Sequence, residues 1–592
     1  MPAQPEATQQ QPSAPPHPDE SVGPLERGFA VLRALAAAPG GRLRPSELTK
    51  ATGLARSTVD RVAATLAELG YLRAEGDGRD LVLAPAAARP GNAYLRGCGL
   101  PRLLTPLAEE LSARLDESVS IAVPDRESVR FIVQIKRRRA LSVTFRVGDA
   151  LPAERCAPGA IFARAWGEAE FAAWRARLGA DPGYEGFPAL PTHRPEKESV
   201  ASFSRRIAAA AKSGCAEDDQ LIEKGLIALA VPVFDGEGAA VCALSVVSHT
   251  SRQTVRSLRE ATLPALLAAA EAMSERLAAA ATPEPEDQGS AAENDADLAG
   301  GAAAESPALT GGGITAGDPT AAAKEQFGPE YLQSLARGIS VLSVLGEGGP
   351  RGLTLSEAAA ATGLPRATAR RSLLTSVRQG YVETDGHRFR ILPRVLELGY
   401  ARLGRLTIGE LAQPHLERVV RTVHESASMA VLDGEDIRYV ARAAAGRIMS
   451  VDIMIGTRFP AFATSMGRVL LADQTPAERE QFLRTSRIRP LTRHTVTDHA
   501  ELLRIVEGAA GNGYALVDQE LEEGLRSMAV PVRDPSGAAV AAVNVSMHAA
   551  RTSAAEARAS VLPVLKAAAE AISADLALLT GPTGPTGPTS GT

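Results

Sequence analysis

The stretch Gly363-Leu364-Pro365-Arg366-Ala367-Thr368-Ala369-Arg370-Arg371-Ser372-Leu373-Leu374, running on to Gly380-Tyr381-Val382, decides the fold. Gly363 suits a tight turn. Pro365 falls at the expected first helical position, where its fixed φ fits and its missing donor costs nothing. Leu364, Ala369, Leu373 and Val377 recur near helical spacing and predict an inward stripe. The same helix turns Arg366, Thr368, Arg370 and Arg371 outward, where phosphates and base edges can be met. This is the pattern of the second helix of a helix-turn-helix. A near copy stands upstream, Gly53-Leu54-Ala55-Arg56-Ser57-Thr58-Val59-Asp60-Arg61, ending at Gly70-Tyr71-Leu72. Arg56, Ser57, Thr58 and Arg61 occupy the corresponding outward face, with Asp60 in the place of Arg370.

The flanks complete each motif. Leu25, Phe29, Leu32 and Leu35 predict a first helix, stopped by Pro39-Gly40-Gly41, and 43–52 predicts a short second helix with a proline in its first turn. Beyond the recognition helix, Tyr71-Leu72-Arg73 and Asp80-Leu81-Val82-Leu83 read as strands around Glu75-Gly76-Asp77-Gly78, a β-wing. The downstream copy repeats the order: Leu335 to Leu342, Leu355 to Ala359, and a wing from Tyr381 to Leu392 that turns at Asp385-Gly386. Its Arg388 and Arg390 suit DNA contact or plain solvated strand positions equally well.

After each wing, strands and helices alternate without the rhythm of a parallel sheet. In the first half these are helices at 106–115 and 203–211, strands at 119–123 and 129–134, a hairpin of 226–233 with 240–247, and a long Ala/Leu helix at 262–280. The expected class is α+β, an antiparallel sheet with helices packed on it. The expected domains are a winged helix at 21–90, a sheet domain at 91–280, a second winged helix at 329–394 and a second sheet domain at 395–579. Segments 1–20 and 580–592 are expected to be disordered, and Pro/Glu/Asp/Gly-rich 281–328 to be a flexible linker. The copies are 310 residues apart at Gly53 and Gly363 but 299 apart at Gly214 and Gly513, so one loop differs in length.

Composition narrows the class. At 592 residues, 45% hydrophobic and 22% charged, the chain reads as several water-soluble globular domains. A net charge of −5 excludes a generally basic coat, so any DNA contact must be local. Residues 42–89 carry eight basic and six acidic side chains, net +2; residues 351–394 carry eight and three, net +5. Cys98, Cys156, Cys215 and Cys242 have neither disulfide-framework nor zinc spacing and read as reduced thiols. No run suits a bilayer or a signal peptide, so a cytoplasmic location with no membrane partner is expected. His494 and His499 lack a third ligand at metal spacing, and Glu522-Glu523 reads as a solvated turn rather than an acid/base pair. No metal, cofactor or enzymatic activity is expected.

Three further segments carry a family resemblance: Gly456-Thr457-Arg458-Phe459-Pro460, Ala463-Thr464-Ser465-Met466-Gly467-Arg468-Val469-Leu470-Leu471-Ala472, and Asp518-Gln519-Glu520-Leu521-Glu522-Glu523-Gly524-Leu525-Arg526-Ser527-Met528-Ala529-Val530-Pro531-Val532. Together with the Gly363 stretch, they make both halves (25–280 and 335–579) resemble regulators of the isocitrate lyase regulator (IclR) family. The second half is similar to the subgroup controlling protocatechuate and β-ketoadipate catabolism. Two such units in one chain depart from the usual single unit.

The resemblance implies a GAF-like effector domain after each winged helix, joined in the second half by a helix at 393–403. It also implies effector contacts from Ser465, Met466, Asp518, Ser527, Asn544 and Ser546. Their chemistry is apt, since N–H groups at a helix start suit a carboxylate, and Asn544 and Ser546 share one strand face. Ser465 equally suits a helix cap, and Asp518 a turn cap.

The first half departs from this pattern. Arg155-Cys156-Ala157-Pro158-Gly159-Ala160 replaces Ala463 to Arg468, Ala228 stands for Ser527 and Val247 for Ser546, while Asp219 still matches Asp518. With Asp60 on its DNA face, the first half reads as the weaker partner. The expected protein is thus a regulator binding double-stranded operator DNA and a small aromatic or dicarboxylic acid. Its halves would form a pseudo-dimer within the chain, open to further pairing between chains. The rival reading is a GAF-like sensory or enzymatic module whose helix-turn-helix serves only assembly.

Overall fold

A computed structural model of the protein describes residues 23–75, 78–137, 145–191, 199–281, 319–445, 453–551 and 553–580. The expected disordered 1–20, the tail after Thr580, most of the 281–328 linker and the Gly76-Asp77 wing tip lie outside these residues. The end of that linker segment is a helix, Pro319–Phe327, where an Ala/Lys/Glu/Gln run favours helix over coil. The chain divides into two compact units between Ala401 and Arg402.

The first unit opens with helices Gly23–Ala37, Pro45–Thr52 and Arg56–Glu68, followed by a wing of β1 (Arg42–Leu43), β2 (Leu72–Glu75) and β3 (Asp80–Leu83) in the order β1-β3-β2. Leu25, Phe29, Leu32 and Leu35 are all buried, as their spacing predicts. A six-stranded antiparallel sheet follows: β4 (Ser118–Asp125), β5 (Ser128–Ile135), β6 (Ala150–Pro152), β7 (Ala216–Asp219), β8 (Leu226–Phe234) and β9 (Ala240–His249), in the order β6-β5-β4-β9-β8-β7. The unit then closes with a second winged helix, of helices Gln333–Val344, Leu355–Thr362 and Arg366–Arg378 and a wing of β10 (Leu353–Thr354), β11 (Val382–Thr384) and β12 (Arg388–Ile391).

Pro365 is the residue before this last helix (φ −57°, ψ 138°), not its first turn. Val377 is only half-buried, whereas Ser372, Thr375 and Ser376 are fully buried. The helix packs against Gln333–Val344 and Leu355–Thr362. Thr375 and Ser376 satisfy their hydroxyls on the carbonyls of Arg371 and Ser372.

The two winged helices are packed together by a repeated contact. A Cβ placed on Gly28 would lie 2.3 Å from Leu335 Cδ1, and one on Gly338 would lie 2.5 Å from Leu25 Cδ2. With a spacing of 310 residues these are the same contact made twice, so each first helix offers a glycine notch to the other's leucine. Around it, Phe29 meets the Tyr381 ring edge-on at 4.8 Å, Arg33 donates to the Tyr381 hydroxyl at 3.0 Å, and Arg378 pairs with Glu26 at 3.3 Å. The expected joining helix at 393–403 is broken into a 3-10 turn, Pro393–Leu398, and one helical turn, Tyr400–Leu403. Gly399 separates them at φ 151°, where a Cβ would lie 2.9 Å from that of Ala87. Close approach of the two connectors thus takes precedence over helix continuity.

The second unit repeats the sheet domain with β13 (Ser426–Asp433), β14 (Asp436–Ala443), β15 (Arg458–Pro460), β16 (Ala515–Asp518), β17 (Leu525–Arg533) and β18 (Ala539–His548), in the order β15-β14-β13-β18-β17-β16. Strand alternation divides its core between two faces. Met528, Val530 and Val532 pack with helices Ile408–Val423 and Leu562–Thr580, while Ala529 and Ala542 face helices Ser465–Ala472 and His499–Asn512. The class is α+β in both units.

Candidate functional site

The outward face of the second recognition helix is as expected: Arg366, Arg370 and Arg371 are exposed and Thr368 is half-buried. In the wing, Arg388 is already engaged, donating to the Gly352 carbonyl at 2.9 Å and pairing with Glu357 at 3.5 Å, and Arg390 pairs with Glu383 at 2.9 Å. Arg388 therefore ties the wing to the helix before the turn. Asp385, at the wing tip, accepts from the His387 and Arg388 N–H groups, which hold its carboxyl below the usual range.

On the first recognition helix, Arg56, Ser57 and Arg61 are exposed and Thr58 is half-buried. Here Asp60 closes on Arg56, whose Nε donates to both carboxylate oxygens at 2.8 and 3.0 Å. Arg61 donates to the Pro329 carbonyl at 2.9 Å and pairs with Glu330 at 3.4 Å. The wing behaves alike, with Arg42 and Arg73 on Glu75 and Arg44 on Asp80.

In the second unit one cavity, about 360 Å³ of space counting its open mouth, forms between the sheet and the start of helix Ser465–Ala472. Its walls are Tyr439, Ile453 and Phe459 on one side, Thr464, Ser465 and Met466 at the helix start, the 521–525 turn, and Ser527, Asn544 and Ser546 on the sheet. Strand pairing sets Ser527 opposite Ser546 and Asn544 opposite Ala529, so three polar side chains share one face.

Thr464, not Ser465, caps the helix, accepting from the Gly467 N–H at 3.1 Å. Ser465 stands at the first helical position with its hydroxyl 2.8 Å from that of Ser527. The Ser465 and Met466 N–H groups are first-turn donors for which the helix has no acceptor. Asn544 donates to the Ser546 hydroxyl at 3.1 Å, but its own carbonyl oxygen is buried without a partner. Burial pushes the Tyr439 phenol up to about 12, so it remains a neutral hydroxyl.

Asp518 does not line the cavity; its cross-strand neighbour Arg526 holds it at 2.7 Å. Glu522 reaches the mouth while staying exposed, so the expected solvated turn also forms part of the wall. The helix itself is fixed from below. Arg468 grips Glu520 through two bonds of 2.7 and 2.6 Å, both side chains being buried, and its Nε donates to the Phe462 carbonyl.

Models of two domain families match the chain. The "IclR helix-turn-helix domain" matches residues 24–76 and 334–386, and "Bacterial transcriptional regulator IclR C-terminal" matches residues 92–275 and 400–574. The chain belongs to the IclR family. Among relatives, a "Pca regulon regulatory protein" of Pseudomonas putida is 42% identical over 241 residues, 40% of this chain and 82% of that protein. A "Pca operon regulatory protein" of Acinetobacter baylyi is 31% identical over 241 residues, 40% of this chain and 86% of its own length. The crystal structure of a transcriptional regulator from Rhodococcus sp. RHA1 is 49% identical, covers 42% of this chain and 99% of its own, and has a TM-score of 0.39. Two complete IclR units thus stand in tandem in one DNA-binding transcriptional regulator.

The two effector domains of this IclR chain differ where the cavity lies. Strand register puts Phe131 where Tyr439 stands, since each pairs with an alanine at the same β-bulge (Ala122 and Ala430). Phe145, three residues before Gly148 as Ile453 is before Gly456, stacks on Phe131 at 5.4 Å with the rings 6° from parallel. Both rings are buried in a cluster with Leu151, Cys156 and Ala157, which match Phe459, Thr464 and Ser465.

The Arg468–Glu520 pair has become Ala160 and Leu221. Arg468, Glu520, Phe459 and Leu525 lie in the segments that carry the resemblance but are given no site role there, and Tyr439 and Ile453 lie outside them. The joint loss of Arg and Glu between the two copies was the readable signal for the pair. The walls had none, because their spacing is that of ordinary strands.

Proposed function

We propose that the protein controls an operon for aromatic-acid catabolism, and that its second effector domain alone senses the acid. The observation that carries this is the Asn544 carbonyl oxygen, buried without a partner on the wall of the cavity in the second unit. An orphaned acceptor is costly and calls for a donor from a ligand, such as a phenolic hydroxyl. The Ser465 and Met466 N–H groups, at the helix start that lines the same cavity, suit its carboxylate. Glu522 stands at the mouth and no Arg or Lys is among the lining residues, which favours a hydroxylated monoacid over a dicarboxylate. The relatives include regulators of Pca genes and a p-hydroxybenzoate hydroxylase transcriptional activator. In the first domain the stacked Phe131 and Phe145 fill the matching space.

Arg366, Thr368, Arg370 and Arg371 meet operator DNA in this reading, with Arg56, Ser57, Thr58 and Arg61 on the partner helix, and Arg388 braces its wing. Ser527 and Ser546 line the ligand and Asp518 positions the turn through Arg526. The protein acts in the cytoplasm, and its paired winged helices supply the two-headed DNA-binding surface that single-unit regulators obtain by self-association. Acid binding shifts the DNA-bound population.

Calorimetry on the full chain with protocatechuate, p-hydroxybenzoate and β-ketoadipate tests the reading. A hydroxybenzoate should bind at one molecule per chain, and Asn544→Leu should weaken it by about tenfold, the worth of one buried hydrogen bond. Two equal sites per chain, or binding unaffected by Asn544→Leu, would overturn it.

A further inference from the structure

We propose that the chain reads a non-palindromic operator, one made of two unlike half-sites, as a direct consequence of its two unlike recognition helices. The inference rests on the DNA-binding reading and goes beyond it to the symmetry of the DNA partner. The Leu25–Gly338 and Leu335–Gly28 contacts hold both winged helices in one unit, so each chain presents two recognition helices together. A pair of identical helices related by a two-fold would demand a palindrome. In their first six residues these helices agree at three outward positions, Arg56/Arg366, Thr58/Thr368 and Arg61/Arg371, and disagree at two: Ser57 against Ala367 and Asp60 against Arg370.

The second disagreement reverses the charge. Arg370 offers a fork of donors, the match for guanine O6 and N7, and is attracted to phosphate. Asp60 offers only acceptors, matches the cytosine amino group, and is repelled by phosphate. It also holds Arg56 through two bonds to one nitrogen, so the first helix presents an arginine pre-set by its neighbour. The wings do not add to this division, since the named arginines of both are held in ion pairs, on Glu75 and Asp80 in the first and on Glu357 and Glu383 in the second. A palindrome built from the guanine-reading half would set Asp60 against the wrong edge; one built from the other half would do so to Arg370.

The test is selection of duplexes from a random pool by the full-length chain, followed by titration of three synthetic sites: the selected site and the two palindromes made from its halves. The selected site should be asymmetric and bind at least about tenfold more tightly than either palindrome, the order of one lost base-edge pairing. Asp60→Arg should move the preference to the palindrome of the second half, and Arg370→Asp to that of the first. Both residues are exposed, so neither change disturbs the core. Equal or tighter binding of a palindrome by the unaltered chain would overturn the inference while leaving DNA binding intact. Failure to select any sequence would overturn both.

Discussion

Replacing Glu520 by Leu should be among the most damaging single changes in the second effector domain, although the first domain carries a leucine, Leu221, at that position. The reason lies in what would remain. Arg468 is about 2% exposed and gives two charge-assisted bonds of 2.6 and 2.7 Å to Glu520. Removing the carboxylate strands a buried guanidinium, a loss of roughly 3–5 kcal/mol, and Arg468→Met alone strands the carboxylate at a similar cost. For a domain of this size that lowers its melting temperature by about 10 °C.

The double variant Arg468→Met with Glu520→Leu removes both charges and adopts the apolar solution that Ala160 and Leu221 make in the first domain. It should recover at least about 2 kcal/mol relative to the sum of the single losses. Calorimetric unfolding of the four proteins gives the coupling directly. Single losses under about 1 kcal/mol, or losses that add within about 0.5 kcal/mol, would refute the view that this pair is a buried unit. The same pin sets the first turn of helix Ser465–Ala472, so the single variants should also weaken acid binding.

Other changes test separate parts of the chain. Asp218 is buried in the first effector domain, where burial pushes its carboxyl up to about 7, against partial compensation from Arg206 and Arg155. Its folded value exceeds its unfolded one, so full stability is present below about pH 4 and is lost as pH rises to about 7, on the order of 4 kcal/mol in all. Asp218→Asn keeps the acceptor for the Leu221 N–H, and should flatten that dependence, melting higher than the parent at pH 8, by less at pH 5, and no higher below about pH 4. Gly338→Val drives a side chain into Leu25 and should lower operator affinity tenfold or more in gel shifts, about 1.4 kcal/mol, with Leu25→Ala restoring most of it. Gly467→Ala places a methyl 2.1 Å from the Ala461 carbonyl and should destabilise the second effector domain by about 1–3 kcal/mol in calorimetric unfolding.

Much of the architecture was legible because it depends on local periodicity. Leu25, Phe29, Leu32 and Leu35 announce a buried helical stripe, and the Gly363 stretch announces its turn and its outward arginines without help from the rest of the chain. The likeness between the halves made both winged helices and both sheets readable from one pattern.

What stayed hidden was set by contacts remote in sequence. Nothing near Asp518 shows that it pairs with Arg526 and leaves the cavity wall to others, and nothing near Ser372 or Ser376 shows that they are buried. Gly399 lies against Ala87, some three hundred residues earlier, and the Phe131–Phe145 stack needs the sheet to bring its two rings together. The order of side chains along the chain therefore determined which elements form, which faces are apolar and which helix carries the stronger positive face. Only the tertiary structure decided which charges are already spent on one another and which side chains come together as the walls of a cavity, because both depend on distances through space.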